Sequence, residues 1–378
     1  MESLWIAMIA GVLILLASMA SVEAGISVAL VEITLGVVAG NFLGLTSPPW
    51  MDFLASFAGI LLTFLAGAEV DHRVLRERFK ESLLIGGVSF LAPFIGAWLV
   101  CAWALGWSTP AAQIAGVALS TTSLAVVYAV LVETGLTYTP IGKLIMASTF
   151  VTDFGVALAL AVLFIRPTWW LVPFVGASVL IIAVMIALQP WFFRRYGDRV
   201  IEPEIKGAVA ALLVMMFLAE RAQSHAVLPA FVLGLALAPV FSQNHQLGQR
   251  FRVVAFALLT PFFFLKGGLN VSLGLVWANI GLLALLLAVK QVTKILGVYP
   301  LATRYVPKHA MFTTLLMSTG LTFGTISSLY GLNAGILSHA QFSVLVTVVV
   351  ASAVVPTLIA QRWFSPETRP EHRVAVER

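Results

Sequence analysis

The chain has 378 residues, of which 60% are hydrophobic and only 10% are charged, and its mean hydropathy is +1.00. A soluble domain carries about 25% charged residues, so this composition excludes an ordinary globular protein and indicates a multi-pass membrane protein. The net charge of +5 is no sign of nucleic-acid binding, because the basic residues lie between apolar segments. The single cysteine excludes a disulfide framework within the chain.

Apolar runs separated by charged or turn residues predict an all-α protein with about thirteen transmembrane spans. Their predicted extents are 3–21, 25–45, 53–70, 82–105, 112–133, 143–165, 168–190, 205–221, 224–241, 251–268, 273–300, 310–331 and 338–362. Basic residues cluster in alternate loops and after the last span. By the positive-inside rule, this pattern places the N-terminus outside the plasma membrane and the C-terminus in the cytoplasm. We therefore expect a transmembrane domain over 1–364 and a short cytoplasmic tail over 365–378.

Two predicted spans carry polar interruptions in mid-membrane. Span 112–133 contains Ser-Thr-Thr-Ser at 120–123, and span 310–331 contains Ser-Thr-Gly at 318–320. Hydroxyl side chains satisfy backbone groups that a helix break frees, whereas the same small residues also let intact helices pack closely. Because the two segments lie at matching positions of two halves, we favour paired broken helices that form a transporter binding site. The two interrupted spans are the fifth and the twelfth, and an offset of seven spans reverses the direction of the chain in the membrane. This predicts inverted repeats over about 1–165 and 205–362.

An isolated carboxylate, Asp153, lies near the middle of the predicted span 143–165. An ionised group at that depth is costly, so such residues usually face a cavity or a partner and serve ions or protons. The alternative is a protonated aspartate that is hydrogen-bonded inside a helix bundle. A neutral residue would pack there without the cost, which favours a functional role for Asp153.

Other charges also fall within the apolar spans. Lys290 and Lys294 are four residues apart in span 273–300 and therefore share a helical face. Each lysine either reaches the membrane interface or faces the broken helices, where it would offset their dipole ends or pair with a carboxylate. Glu32 is either a second proton site or an interhelical hydrogen-bond partner. We find no metal-ligand cluster or nucleophile–base pair at plausible spacing, so we expect neither an enzyme nor a bound cofactor.

Several local patterns follow one another along nearly the whole chain. They are Val-Glu-Ile-Thr-Leu-Gly at 31–36, Phe-Leu-Ala-Gly-Ala-Glu-Val-Asp at 64–71, the hydroxyl run at 120–123, Thr-Asp at 152–153, Lys-Ile-Leu-Gly at 294–297 and Ser-Thr-Gly-Leu-Thr-Phe-Gly at 318–324. In this order they resemble the monovalent cation–proton antiporter superfamily, in the branch of Kef-like and NapA-like sodium/hydrogen exchangers. The resemblance implies the NhaA-like antiporter fold, with two inverted repeats, a dimerisation domain and a mobile core with two crossed, unwound helices. It also implies a homodimer.

The resemblance further implies roles for the residues around the breaks. Asp153 would bind a proton and a Na⁺ or K⁺ ion in turn. Oxygen ligands for the cation would come from Thr152 and from the break residues Thr121, Thr122 and Ser123, because a hard cation prefers oxygen. The residues expected to support the core are Lys294, Lys290, Ser318, Thr319 and Glu32. Lys294 and Lys290 compete for the place of the family's core lysine.

The chain departs from the family pattern at one position. Electrogenic members often carry two adjacent acids where this chain has Thr152 and Asp153. The departure removes the usual carboxylate partner of the core lysine, so we expect one-for-one, electroneutral exchange. The expected function is a proton-coupled Na⁺ or K⁺ antiporter that works by alternating access. The alternatives are a symporter of an organic anion with a similar fold, in which Asp153 binds only a coupling cation, and a channel-like protein.

Overall fold

The computed structural model describes residues 2–24, 27–70, 76–136, 139–164, 168–197, 199 and 201–364. Within these ranges the chain is helical and contains no β-strand, as predicted. The helices α1 to α17, in chain order, are Glu2–Ala24, Val28–Phe42, Pro49–Ala68, Phe79–Leu99, Thr109–Ser120, Leu124–Glu133, Pro140–Leu163, Leu171–Tyr196, Pro203–Arg221, Val227–Gln243, His245–Val254, Thr260–Leu269, Leu273–Ala278, Ile280–Tyr305, Ala310–Met317, Thr322–Asn333 and His339–Trp363. The predicted tail over 365–378 lies outside the described residues.

Nine helical stretches of the described chain are long and apolar enough to cross a membrane. The shorter apolar helices α2 and α10 fall where further spans are predicted. The protein is therefore an all-α, multi-pass membrane protein, as the sequence predicts. The total of thirteen spans stays a prediction, because some of the helices are shorter or interrupted.

The described chain forms two compact units. Unit 1 takes its residues from Met1–Pro48, Arg73–Val156 and Phe264–Arg378, and unit 2 from Pro49–His72 and Ala157–Phe263. Both predicted breaks and Asp153 belong to unit 1.

Unit 2 is built on a close crossing of α3 and α10 at Gly67 and Gly234. A Cβ atom on Gly234 would run into the backbone carbonyl of Phe64, and one on Gly67 would meet the backbone of α10. The helices therefore approach so closely that only glycine fits. Beside the crossing, the rings of Phe64, Phe241 and Phe251 pack with centroids 5.5 to 6.0 Å apart.

Unit 1 contains a crossing of the same kind, between α2 and α12. Here Gly36 and Gly268 face each other, and a Cβ atom on either would run into the backbone of the other helix. Asn41 extends the contact, since its Nδ2 donates to the Val271 carbonyl (2.7 Å) and its Oδ1 accepts from the Leu273 amide (2.9 Å).

The interrupted helices of unit 1 break where the sequence predicts. The first stops at Ser120 and resumes at Leu124, and the second stops at Met317 and resumes at Thr322. A hydrophobic cluster of the same unit includes the end of the helix that stops at Met317. It consists of Ile85, Val127, Val130, Leu131, Leu136, Leu144, Ile145, Val298, Phe312, Leu315, Leu316, Met317 and Ala360.

Candidate functional site

The two unwound segments bond to each other at their closest point. The Thr122 hydroxyl donates to the Met317 carbonyl at the end of α15 (2.9 Å), and the Ser123 amide donates to the Thr319 hydroxyl (3.3 Å). The last carbonyls of a helix lack intrahelical partners, so a buried break needs such donors. Thr121 takes an extended backbone conformation, with φ −63° and ψ 151°, which directs the chain away from the axis of α5.

Four further hydroxyls at the breaks cap the helix ends that they interrupt. Each donates to a carbonyl three or four residues earlier in its own chain segment, at 2.7 to 2.9 Å. The pairs are Ser120 with Val117, Thr121 with Ala118, Ser318 with Thr314, and Thr319 with Leu316. The polar run that predicts a break thus also supplies the groups that stabilise it.

Both lysines of α14 face the breaks and are fully buried. The Lys294 ammonium donates to the hydroxyls of Ser89 (2.7 Å) and Thr122 (3.1 Å). The Lys290 ammonium donates to the Thr121 carbonyl (3.4 Å). The alternative in which these lysines reach the membrane interface is therefore wrong, because both side chains end inside the protein at the unwound segments.

Asp153 lies in α7 with only 1% of its surface exposed. Its Oδ1 has no hydrogen-bond partner in the part of the chain that the structure describes. No direct ion pair joins Asp153 to Lys294 or Lys290 among the described residues. A buried carboxylate with so little compensation is suited to taking up a proton or a small cation.

Thr152, next to Asp153 in sequence, bonds through its hydroxyl to backbone of α4 and α7 and not to the break residues. Its hydroxyl donates to the Gly86 carbonyl (3.2 Å) and the Ser148 carbonyl (3.1 Å), at the seam between α4 and α7. Glu32 is buried in α2, with Oε2 unbonded among the described residues, and no described hydrogen bond or ion pair joins it to the breaks. The structure therefore brings the break residues and the two lysines together, but not Glu32.

Two residues of the site are absent from the sequence-based set. Ser89 of α4 is one, and its only sequence signal is that Ser82 and Ser89 lie seven residues apart, on one face of an apolar helix. Gly320 is the other, because a Cβ atom there would run into the Lys290 ammonium and come within 2.8 Å of the Thr121 hydroxyl. Glycine at this position makes room for the Lys290 side chain. That fit depends on the packing of α14 and the two breaks, so the sequence around Gly320 alone does not reveal it.

Comparisons with known proteins agree with this architecture. The model of the family "Sodium/hydrogen exchanger, transmembrane" matches residues 7–365. Probable Na⁺/H⁺ antiporter 3 of Methanocaldococcus jannaschii is 23% identical over 83% of this chain and 84% of its own length. The Na⁺/H⁺ antiporter NhaS4 of Synechocystis is 28% identical over 87% of this chain and 88% of its own length.

The fold also matches a solved structure. The sodium proton antiporter MjNhaP1 from Methanocaldococcus jannaschii superposes with a TM-score of 0.70, covering 97% of this chain and 100% of that chain at 12% identity. At this identity the match concerns the fold alone, while the family match spans almost all of the chain. The chain belongs to the family of transmembrane sodium/hydrogen exchangers, which are transporters and not enzymes.

Proposed function

We propose that the protein exchanges Na⁺ or K⁺ for H⁺ across the plasma membrane, with Asp153 holding either ion. The observation that carries the proposal is the burial of Asp153, with an unbonded Oδ1, in the unit where the two broken helices meet. An isolated ionised carboxylate in a dry site is unfavourable, so it is neutralised by a proton or a cation. Because one carboxylate accommodates one of them at a time, competition couples the two fluxes.

The cation would take its oxygen ligands from Asp153 and from the break. A hard monovalent cation favours carboxylate, hydroxyl and carbonyl oxygens. Hydroxyls of Thr122 and Ser123 and unwound backbone lie in the break. The Thr122 hydroxyl donates to the Met317 carbonyl and the Ser123 hydroxyl accepts from the Val126 amide, and a hydroxyl oxygen has two lone pairs, so each oxygen has one left after a single accepted bond. Thr152 is a weaker candidate, because its hydroxyl donates at the α4–α7 seam.

Lys294 fits the role of the core lysine better than Lys290. Its ammonium donates to the hydroxyl of Thr122, a proposed cation ligand, and to that of Ser89, with no second carboxylate among its described partners. The described partners of this ammonium include no second acid, so they add no exchangeable proton to that of Asp153. This arrangement supports one-for-one, electroneutral exchange.

Alternating access between inverted repeats is the proposed route of the site across the membrane. Two glycine crossings support the repeats: α2 with α12 in unit 1, and α3 with α10 in unit 2. Each crossing joins a helix of the first predicted repeat to one of the second. In the predicted repeats α2 corresponds to α10, and α3 corresponds to α12. One crossing therefore maps onto the other when the two repeats are interchanged. The proposal retains a homodimer with an external N-terminus and a cytoplasmic C-terminus.

Asp153→Asn tests the proposal, because asparagine keeps the shape but does not ionise. In proteoliposomes driven in turn by Na⁺, K⁺ and Li⁺ gradients, we expect the variant to lose cation-driven proton movement while eluting as a folded protein. The matched control is Asp52→Asn in unit 2, which we expect to transport as the wild type does. Robust exchange by Asp153→Asn would reject the assignment. Cation-coupled uptake of an organic anion without proton movement would favour the symporter.

A further inference from the structure

Buried hydroxyls in the helices of unit 1 usually donate to the carbonyl four residues earlier in the same helix. Thr314, Thr325, Ser327 and Ser328 all do so, at 2.7 to 2.8 Å. Three fully buried hydroxyls are exceptions, since none has a hydrogen-bond partner in the described part of the chain. They are Ser82, Ser148 and Thr313. A serine or threonine hydroxyl in a helix commonly bonds to that earlier carbonyl, and these three buried hydroxyls do not.

Two of the exceptions precede site residues on the same helix. Ser82 lies seven residues before Ser89 in α4, or about 10 Å along the helix axis. Thr313 lies one turn before Met317, whose carbonyl accepts the Thr122 hydroxyl. Ser89 also lies within 3.5 Å of that carbonyl, so α4 and α15 converge there.

The third exception, Ser148, lies in α7 one turn before Thr152. α7 runs beside α4 in the same direction, because Gly86 packs on Ser148 and Gly155 packs on Phe90 further along both helices. The unbonded hydroxyls of α4 and α7 therefore lie on the same side of the site. Ser148 is about 7 Å from Asp153 along the helix axis.

Apolar side chains surround this side of the site. The hydrophobic cluster includes Ile85 between Ser82 and Ser89, Ile145 before Ser148, and Phe312 beside Thr313. Such packing leaves no room for a hydrated metal ion. Individual buried waters bond to polar groups that have no protein partner, which makes these hydroxyls candidate positions for them. A hydroxyl that made neither a protein nor a water contact would cost free energy for no gain.

We propose that, while Asp153 has access to the end of unit 1 where α4, α7 and α15 begin, Ser82, Ser148 and Thr313 hold water molecules that carry protons through this cluster between Asp153 and that end. Each transfer breaks one O–H bond as the next forms, so only a proton moves. The inference rests on the proposed exchange and gives the proton a route of its own through unit 1. The ionisable groups at its inner end are Asp153, Lys290 and Lys294. Those at the starts of the three helices are Lys80, Glu81, Lys143, Lys308 and His309.

The neighbouring residues Thr313 and Thr314 provide a matched test. Both are fully buried in α15, but only Thr314 bonds to its own helix. Thr313→Val and Thr314→Val remove one hydroxyl each at nearly constant volume. At a fixed cation gradient, we expect Thr313→Val to slow proton movement about tenfold at high pH, where protons are scarce, by removing one hydrogen-bonded step. The cation concentration for half-maximal rate should not change, and Thr314→Val should match the wild type. Ser148→Ala should repeat the effect of Thr313→Val.

High-resolution cryo-electron microscopy in nanodiscs gives a second readout that does not depend on transport. We expect an ordered water at hydrogen-bond distance from the Thr313 and Ser148 hydroxyls, and its loss in Thr313→Val. If Thr313→Val and Thr314→Val transport with the same pH profile, or if no water lies at the Thr313 and Ser148 hydroxyls, the proton path is wrong. The proposed exchange itself would still stand. A wild-type protein that moves no protons would instead reject the proposed exchange and, with it, proton conduction along this path.

Discussion

At the scale of single residues, the site depends on how two lysine side chains are accommodated when no described carboxylate is in direct contact with either. Lys294 donates to two hydroxyls, and Lys290 donates to a carbonyl that the break has freed from its helix. Removing one partner of a buried charge is expensive, because the charge stays desolvated. Gly320 contributes by lacking a side chain where the Lys290 ammonium lies.

Gly320→Ala should therefore destabilise the protein. The added methyl group would collide with the Lys290 ammonium, at a cost of about 1 to 3 kcal/mol in the free energy of unfolding. In a Lys290→Ala background the same change should cost less, because the collision with the ammonium is gone and only the close approach to the Thr121 hydroxyl remains. Thermal unfolding of the four variants in detergent measures the coupling. Gly87→Ala in α4 has open space around the new atom and serves as the control; equal losses at both glycines would contradict the contact.

At the scale of elements, the first break joins α14 to α15 through one side chain. The Thr122 hydroxyl accepts from Lys294 and donates to the Met317 carbonyl. Thr122→Val should weaken apparent cation affinity about tenfold, because a hydrogen bond to a charged group contributes roughly 1.5 to 3 kcal/mol, while the maximal rate falls less. The comparison is Ser120→Ala, whose hydroxyl bonds only within α5. Transport rates measured across a cation titration give the apparent affinity of each variant. An unchanged affinity in Thr122→Val would mean that the cation does not bind at this break.

The glycine crossing of α3 and α10 is a second element whose geometry admits no side chain. In Gly234→Ala the new atom would run into the Phe64 carbonyl, and backbone does not move aside as a flexible side chain does. We expect the free energy of unfolding to fall by about 1 to 3 kcal/mol. Gly176→Ala, in α8 of the same unit, meets nothing within 4 Å and should be neutral. Thermal unfolding of both variants provides the test, and a wild-type transition in Gly234→Ala would show that the helices separate readily.

At the scale of the whole molecule, the stoichiometry follows from the number of exchangeable acids. Thr152 carries no proton, so Asp153 alone would exchange one proton for one monovalent cation, and the same charge would move in both directions. The cation gradient that balances a fixed pH gradient should then be independent of voltage, although an uncompensated charge would feel about 2.3 kcal/mol per 100 mV. The balance point is measured in proteoliposomes clamped at several potentials. A shift with voltage would mean that Lys290, Lys294 or Glu32 also exchanges a proton.

Local properties of the sequence were sufficient for the class of the molecule and for the position of its breaks. Hydropathy predicts a multi-pass all-α protein, because an apolar environment requires each spanning segment to satisfy its own backbone. The hydroxyl runs predict the two interruptions for the same reason, since they supply partners to freed carbonyls. The isolation of Asp153 in an apolar span is likewise visible in the sequence alone, together with the absence of a second acid beside it.

Only the tertiary structure decided which of these polar groups meet. The rotation of α14 directs Lys290 and Lys294 inward, and the rotation of α7 turns Thr152 toward α4. Neither rotation is fixed within its own segment, because each depends on close contacts with helices distant in the sequence. Ser89, more than 200 residues before its partner Lys294, therefore had no strong local signal. A single sequence contains the chemistry of every side chain, but the packing of separate helices determines which of them become neighbours.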